Sequence, residues 1–423
     1  MPCASSTSFA IGNGLRVILV EHHAFPSLAA RLVFPRRPSE RSEADFVRLE
    51  LMGATFFAPL EAGEDATGRC SRQGCLLADW GVQGELGSML ERLAALVVHP
   101  SETVETFERR LLRGTDSVRL SGRNMGIALW RNAYIQAFGT SPLGGIDAAS
   151  FRPQIEDLER IRDALITPGN ATLVIAGDTL PEQARAAVES ALGAWAAKDS
   201  AAPTAAERTV HPTQPGIVLI NIHHLTHTLA DLVVRGPPRE DRDAAAFALA
   251  AQILGGGMSS VAFRYVREDL PASYAVGARV EWFEVGSMLR LGGALDPENA
   301  IEALRALLRA VRELRAAGPK DADVERAKAT LRGAMRQQQS SSAGIASNIA
   351  AGVLAGAIDL CAFVNQLDTV SAGDVKRVVT KYFAEGNLHM VAAGPKEDVG
   401  SWLSDFGLGP VTMRDGFGRN VER

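Results

Sequence analysis

The sequence predicts an α+β chain of two homologous halves, each a mostly antiparallel sheet with helices packed on one face. Three observations predict it: an ungapped internal repeat, a strand-turn-strand opening shared by both halves, and helical stretches whose apolar residues recur at three- and four-residue steps.

A shift of 217 positions lays Asp157 on Asp374, Gly169 on Gly386, Asn170 on Asn387 and Gly177 on Gly394. The same register places Glu108 and Arg109 on Glu325 and Arg326, so the repeat spans most of each half. In each copy a helical segment (155–166 and 372–383) ends at a Gly-Asn pair suited to a left-handed cap, and a strand follows. Residues 14–34 and 216–235 each read as a strand, a turn holding two histidines and a second strand. The halves are delimited as an N-terminal domain, 1–195, and a C-terminal domain, 215–423. Residues 196–214, rich in Ala, Pro, Thr and Ser without an apolar period, form the linker.

Within the second half, Ile301, Leu304, Leu308, Val311 and Leu314 mark one face of a helix that covers a sheet. Residues 273–293 read as a hairpin: Tyr274, Val276 and Ala278 alternate, and Gly286 turns the chain into the return strand. Residues 243–254 form a helix that stops at Gly255, Gly256 and Gly257.

Composition bounds the partners. With 423 residues, 46% of them apolar, the chain can bury two cores of ordinary size. Forty-four basic and 49 acidic residues, spread evenly to a net charge of −5, offer no basic stripe for nucleic acid. No apolar run approaches the roughly 20 residues that cross a bilayer, and the N-terminus lacks the basic start and apolar stretch of a secretory signal. A cytoplasmic location follows, and with it free thiols for the cysteines at 3, 70, 75 and 361.

Hydrolytic chemistry needs a nucleophile or metal, a base and an oxyanion stabiliser. No GxSxG elbow is present. His223 and His227 are four apart but carry no carboxylate between them, and on an extended strand their rings would stand about 13 Å apart, too far to share zinc. His22, His23 and His99 have no second ligand nearby in sequence and read as structural or surface groups. No metal site is predicted. The Gly255-Gly256-Gly257-Met258-Ser259 run follows a helix, unlike a phosphate loop; it stops that helix and can also bare backbone to an extended peptide.

From residues 13–21 to Gly394 the chain resembles a subunit of the pitrilysin-type (M16B, inverzincin) zinc peptidases. The most specific likeness is LeuGlyGlyGlyMetSerSer at 254–260, followed by the segment 263–276. The resemblance implies the two-domain fold above. It also implies that Arg267 and Tyr274, seven residues apart, face zinc across a closed chamber and bind the scissile peptide, with Gly255, Gly256, Gly257 and Ser259 contacting substrate. A guanidinium and a phenol suit that role, since both donate hydrogen bonds to a carbonyl oxygen gaining charge.

The metal half of the pattern is missing. The family's HxxEH helix follows the second strand, but residues 36–50 contain no histidine, and the chain reads as though most of that helix were absent before 50–54. The family's downstream ligand Glu would fall where Gly114, Thr115, Asp116, Ser117 and Val118 stand. The resemblance therefore implies a non-catalytic subunit that holds no cofactor itself and pairs as a heterodimer with an HxxEH-bearing zinc subunit, acting on a peptide such as a cofactor precursor. The alternative is a scaffold of the same descent without substrate contact.

Overall fold

The computed structural model describes residues 6–36, 44–57, 67–71, 73–98, 109, 111–113, 116, 120, 123–139, 155–196, 214–222, 227–268, 270, 275–283, 285–356, 360–396 and 402–421. Contacts divide the chain into two compact units. The first joins Met1–Arg119, Ile146–Glu207 and Gly333–Leu360; the second joins Leu120–Gly145, Arg208–Arg332 and Cys361–Arg423. Relative to the halves 1–195 and 215–423, each unit thus takes in one segment from the other half.

The sheet of unit 1 holds β1 (Ser6–Ala10), β2 (Arg16–Glu21), β3 (Ser27–Pro35), β4 (Thr67–Ser71), β5 (Gly74–Val82) and β6 (Thr172–Gly177) in the order β1-β2-β6-β3-β5-β4. Unit 2 holds β7 (Ile217–Asn221), β8 (Thr228–Gly236), β9 (Ala275–Phe283), β10 (Gly286–Leu295), β11 (Leu388–Gly394) and β12 (Val411–Arg414) in the order β12-β7-β11-β8-β10-β9. The duplication is visible in the register: Leu173 of β6 faces Leu32, and Met390 of β11, 217 positions on, faces Leu232. In both sheets the inserted strand runs parallel to its first neighbour, β2 or β7, and antiparallel to its second, β3 or β8. Only the outermost strand differs, since β1 is antiparallel to β2 whereas β12 is parallel to β7.

The inner strands are near-continuous apolar runs, ThrLeuValIleAlaGly in β6 and LeuHisMetValAlaAlaGly in β11, and every residue of both is buried. Such strands need cover on both faces. In unit 1 one face carries the expected layer: α1 (Ala44–Phe56), α2 (Leu86–Val97), α4 (Ile155–Leu165) and α5 (Pro181–Leu192) close a core around Val17, Leu19, Leu32 and Leu173. The opposite face, holding Ile18, Val20, Ala29, Val33, Val174 and Ala176, is covered by Ile345, Ala346, Ala350 and Val353 of α9 (Ser342–Leu354). In unit 2 the corresponding cover is α3 (Met125–Phe138), whose Ala128, Ala133, Ala137 and Phe138 pack on Val218, Val233, Met288 and Val391. Helices on one face is therefore half of the layering; the other half is an exchange of α3 and α9 between the sequence halves.

Local chemistry fixes both exchanged helices. Asn124 caps α3 by accepting the Ile127 amide at 3.1 Å, and Gly139 ends it in the left-handed region at φ 72. Ser341 caps α9 by accepting the Gly344 amide. The other face of sheet 2 is met by α6 (Ala244–Gly255), α7 (Ala300–Ala317) and α11 (Ala372–Tyr382). Leu304, Leu308, Val311 and Leu314 of α7 are buried as their spacing predicts, Leu307 joins them, and Ile301 is only half-buried.

Three expectations change. A helix does follow β3: α1 occupies residues 44–56, with Leu49, Leu51 and Met52 in the core, so the helix is present although it carries no histidine. Its apolar period is blurred by Gly53, whose missing Cβ leaves room for the Cys70 amide; a Cβ there would lie 2.5 Å from that nitrogen. The Gly-Asn pairs do not use a left-handed glycine; Pro168–Asn170 and Glu385–Asn387 are short 3₁₀ turns, and the asparagine side chains do the capping. Asn170 donates to the Leu165 and Pro35 carbonyls at 2.9 and 3.1 Å, and Asn387 to those of Tyr382 and Arg235 at 2.5 and 2.8 Å. Cys70 and Cys75 are joined by a disulfide, because they stand opposite each other in the β4–β5 register. The predicted hairpin closes between Phe283 and Gly286, with φ 147 at Gly286. No helix among the described residues is long and apolar enough to cross a membrane.

Candidate functional site

The site is built on the end of α6 and the edge of sheet 2. α6 is apolar on nearly every face and therefore buried, and it runs out at the glycines. The three glycines have different jobs. Gly255 is buried against β9: a Cβ would lie 2.5 Å from the Ala278 amide nitrogen, so only glycine lets the helix cross the strand. Gly256 is half-buried beside Gln252, whose amide donates to the Gly256 carbonyl. Gly257 sits at φ +117 with open space where a Cβ would be, and Met258, 78% exposed, and Ser259 follow it into solvent.

Ser260 then starts a new turn by accepting the Phe263 amide at 3.3 Å, and Arg264–Glu268 continue it as a π-helical turn. Val266 is fully buried and anchors the turn, which leaves Arg267 exposed with its guanidinium 5.7 Å from the centre of the Phe263 ring. Tyr265 steadies the other side. Its hydroxyl donates to Glu313 of α7 at 2.6 Å, and Arg309 lies 4.5 Å from the centre of its ring. That hydrogen bond, with burial second, raises the phenol pKa. Tyr274 and Pro271 lie outside the described residues. β9 opens at Ala275 and, among the described residues, is the last strand of its sheet and pairs only with β10.

Behind β9 lies a charge network that sequence reasoning did not single out. Arg290 of β10 pairs with Asp231 of β8 at 3.1 Å and with Glu281 of β9 at 3.4 Å, and the Trp130 indole of α3 donates to Glu281 at 2.6 Å. Burial raises the Asp231 pKa, and Arg290 works against that shift. A signal existed: one aspartate interrupts the apolar run ThrLeuAlaAspLeuValVal. The network ties the edge strand to the helix behind it, so β9 is held in place at the end of its sheet.

Asp243, just before α6, is the second group missed. Its fully buried carboxylate accepts from Arg377 at 2.7 Å, Lys381 at 2.8 Å and Tyr382 at 3.2 Å, all on α11. Burial opposes its charge, but the hydrogen bonds from Lys381 and Arg377 outweigh it and hold the carboxyl below the usual range. The Lys381 amine is pushed up to about 12, first by its hydrogen bond to Asp243.

The residues weighed as metal ligands can be placed only in part. Among the described residues no three His, Cys, Asp or Glu side chains converge on a point where a metal could sit. His223, His99, Gly114, Thr115, Ser117 and Val118 lie outside the described residues; His227 and Asp116 are exposed. His23 is hydrogen-bonded to Asp178 at 2.6 Å and Glu21 at 3.4 Å, which raises its pKa, the Asp178 bond contributing most.

Residues 154–331 match the family model described as Peptidase M16 inactive domain. No curated protein sequence matches the chain significantly. Among solved structures, the chain resembles a peptidase M16 inactive domain from Pseudomonas fluorescens at 20% identity and a TM-score of 0.79, with 92% of this chain and 98% of that one covered. A protease from Helicobacter pylori aligns at 15% identity and a TM-score of 0.80, over 93% and 100% of the two chains. A chain of Complex III2 from Candida albicans aligns at 16% identity and a TM-score of 0.76, over 93% and 97%. These likenesses establish the fold, two sheet-plus-helix halves of the M16-like peptidase type.

Proposed function

From the match of residues 154–331 to an inactive M16 domain, we propose that this chain is the non-catalytic subunit of a two-component zinc peptidase. In this reading it binds an extended peptide and lends Arg267 and Tyr274 to the active site of an HxxEH-bearing partner. The observation that carries it is local. Arg267 is exposed on a turn braced by Val266 and by the Tyr265–Glu313 hydrogen bond, between an open glycine loop and a strand that ends its sheet among the described residues. An extended peptide can add its backbone to such an edge, and the open backbone around Gly257 leaves room for it. Residues 36–50, which follow β3 and run into α1, hold no histidine, which supports a reading in which the partner carries the metal.

The chemistry follows from the side chains. Zinc held by the partner would act as Lewis acid on the scissile carbonyl. Arg267 and Tyr274 would donate hydrogen bonds to the same oxygen as water attacks, each worth up to roughly 10² to 10³ in rate by analogy with other oxyanion donors. The substrate is a peptide, and a cofactor-precursor peptide is the instance the resemblance suggests.

The test is reconstitution. Mixing the chain with its zinc-bearing partner should give peptide cleavage that neither shows alone. Arg267→Ala and Tyr274→Phe should each lower kcat at least about tenfold while the complex still elutes as one species. Unchanged cleavage by both variants would remove the shared-site role. A scaffold without substrate contact has one observation in its favour, the shared fold with a chain of Complex III2. It predicts assembly that is indifferent to both substitutions and no peptide cleavage from any mixture.

A further inference from the structure

Unit 1 carries a covalent bond where unit 2 does without one. Aligning the sheets on their central strands, Leu32 facing Leu173 and Leu232 facing Met390, puts Cys70 and Cys75 of β4 and β5 on Val280 and Leu289 of β9 and β10. In unit 2 this cross-strand pair is apolar, with Leu289 fully buried, and the hairpin forms all the same. A hairpin at this place in the sheet can therefore form without a disulfide. We propose that Cys70–Cys75 is a redox-active disulfide, opened by a dithiol and closed again by oxidation, that clamps the edge strand β4 beneath α1.

The surroundings fit such a centre. Among the described residues β4 is the last strand of its sheet and pairs only with β5. Cys75 is fully buried and Cys70 half-buried, so exchange starts at Cys70. One thiolate of the dithiol attacks Cys70 Sγ, forming a mixed disulfide and expelling Cys75 as a thiolate that takes up a proton. The second thiol of the dithiol then displaces Cys70, so the dithiol leaves oxidised and the protein holds two thiols.

Opening the bond would move more than two sulfurs. Bonded sulfurs stand about 2 Å apart and non-bonded heavy atoms roughly 3.5–4 Å, so reduction requires them to separate by about 1.5 Å. The Cys75 side lies in the core, which leaves the Cys70 side to give way. α1 rests on that side. A Cβ at Gly53 would meet Cys70 Cβ and Sγ at 2.8 and 2.9 Å, so the helix has no slack there and is displaced with the strand.

The full-length chain should be equilibrated with mixtures of reduced and oxidised dithiothreitol, alkylated and peptide-mapped, with amide exchange followed in parallel. Cys70 and Cys75 should become alkylated together and reversibly while the circular dichroism stays native. Exchange in residues 49–56 and 67–71 should quicken on the order of tenfold on reduction. The double variant Cys70→Val with Cys75→Leu, copied from unit 2, should fold and show no response to dithiol in these segments. Reduction only together with global unfolding, identical exchange in both states, two free thiols under oxidant, or a dithiol response in the double variant would each overturn the proposal.

Discussion

The same helix pair is joined by different chemistry in the two units. In unit 1, α1 packs on α4 through apolar side chains: Leu49, Leu51, Met52, Leu158 and Leu165 share one core, and the Arg162 guanidinium lies 4.8 Å from the centre of the Phe56 ring. In unit 2, α6 packs on α11, the copy of α4 displaced by 217 residues, and the joint is the buried Asp243 with its three donors. Arg160, Ala164 and Leu165 stand where Arg377, Lys381 and Tyr382 do, and two of these three cannot donate. Duplication has kept the packing geometry and let the contact chemistry drift. The polar version fixes the start of the helix whose far end is the Gly255–Gly257 loop, so in unit 2 the joint bears on the candidate site.

The largest test of this contrast is Asp243→Ala. It removes a buried carboxylate and leaves Arg377 and Lys381 without their main partner. Breaking a buried pair in this way typically costs 3–5 kcal/mol, and since both cations are about half exposed we expect about 3. The counterpart in unit 1, Arg160→Ala, breaks an exposed pair with Asp157 and should cost less than about 0.5 kcal/mol in denaturant unfolding. The pH dependence has a defined sign. The folded-state pKa of Asp243 is depressed, so its contribution is present above the ordinary carboxylate range near 4 and is lost as pH falls through the lower folded value. Equal costs for the two substitutions would erase the distinction between the joints.

A second contrast lies on the inserted strands. His389 of β11 falls on Thr172 of β6; both are buried, but the Thr172 hydroxyl accepts from Arg16 at 2.9 Å, and the place of Arg16 is taken in unit 2 by Gly216. Burial lowers the His389 pKa to about 4, against 6.5 unfolded. The unfolded chain therefore takes up a proton on this group below pH 6.5 and the folded chain does not, so stability is full above 6.5 and drains as pH falls toward 4. At pH 5 the loss amounts to about 2 kcal/mol. His389→Thr, which installs the unit 1 residue, should flatten the slope of unfolding free energy between pH 6.5 and 5. An unaltered slope would mean that His389 titrates alike in both states.

How much of this the sequence discloses depends on how local the cause is. The repeat, the β9–β10 hairpin and the buried face of α7 were legible because turns and periods are written in consecutive residues. The exchange of α3 and α9 was not. The sequence MetGlyIleAlaLeuTrpArgAsnAlaTyrIleGlnAlaPhe says that a helix is buried, not which sheet buries it, although all-apolar strands such as β6 signalled that a second face needed cover. The residues of α1 do not spell out a full helix because their pattern bends around Gly53, a residue set by contact with β4 rather than by helix chemistry. At the site, the glycine loop was found but not the division of labour within it, since the burial of Gly255 comes from Ala278 across the fold. The Asp243 clamp joins residues 134 to 139 apart, beyond any local pattern.

The smallest effect tests what duplication kept. Asn170 and Asn387 make the same two bonds, one to the last turn of the preceding helix and one to the end of β3 or β8, so each fastens helix, strand and turn together. Replacing either with Ala leaves two carbonyls without that donor, at about 1 to 1.5 kcal/mol for each variant. Both asparagines are half-buried, so water can take over part of the role and keeps the figure at that level. Because the two sites share no partner, the double variant should lose the sum to within about 0.5 kcal/mol. Unequal costs, measured by urea unfolding of the two single variants, would show that one unit leans on its capping asparagine more than the other. The polar joint at Asp243 identifies which: with α11 already held by three donors there, Asn387 should be the more dispensable of the two.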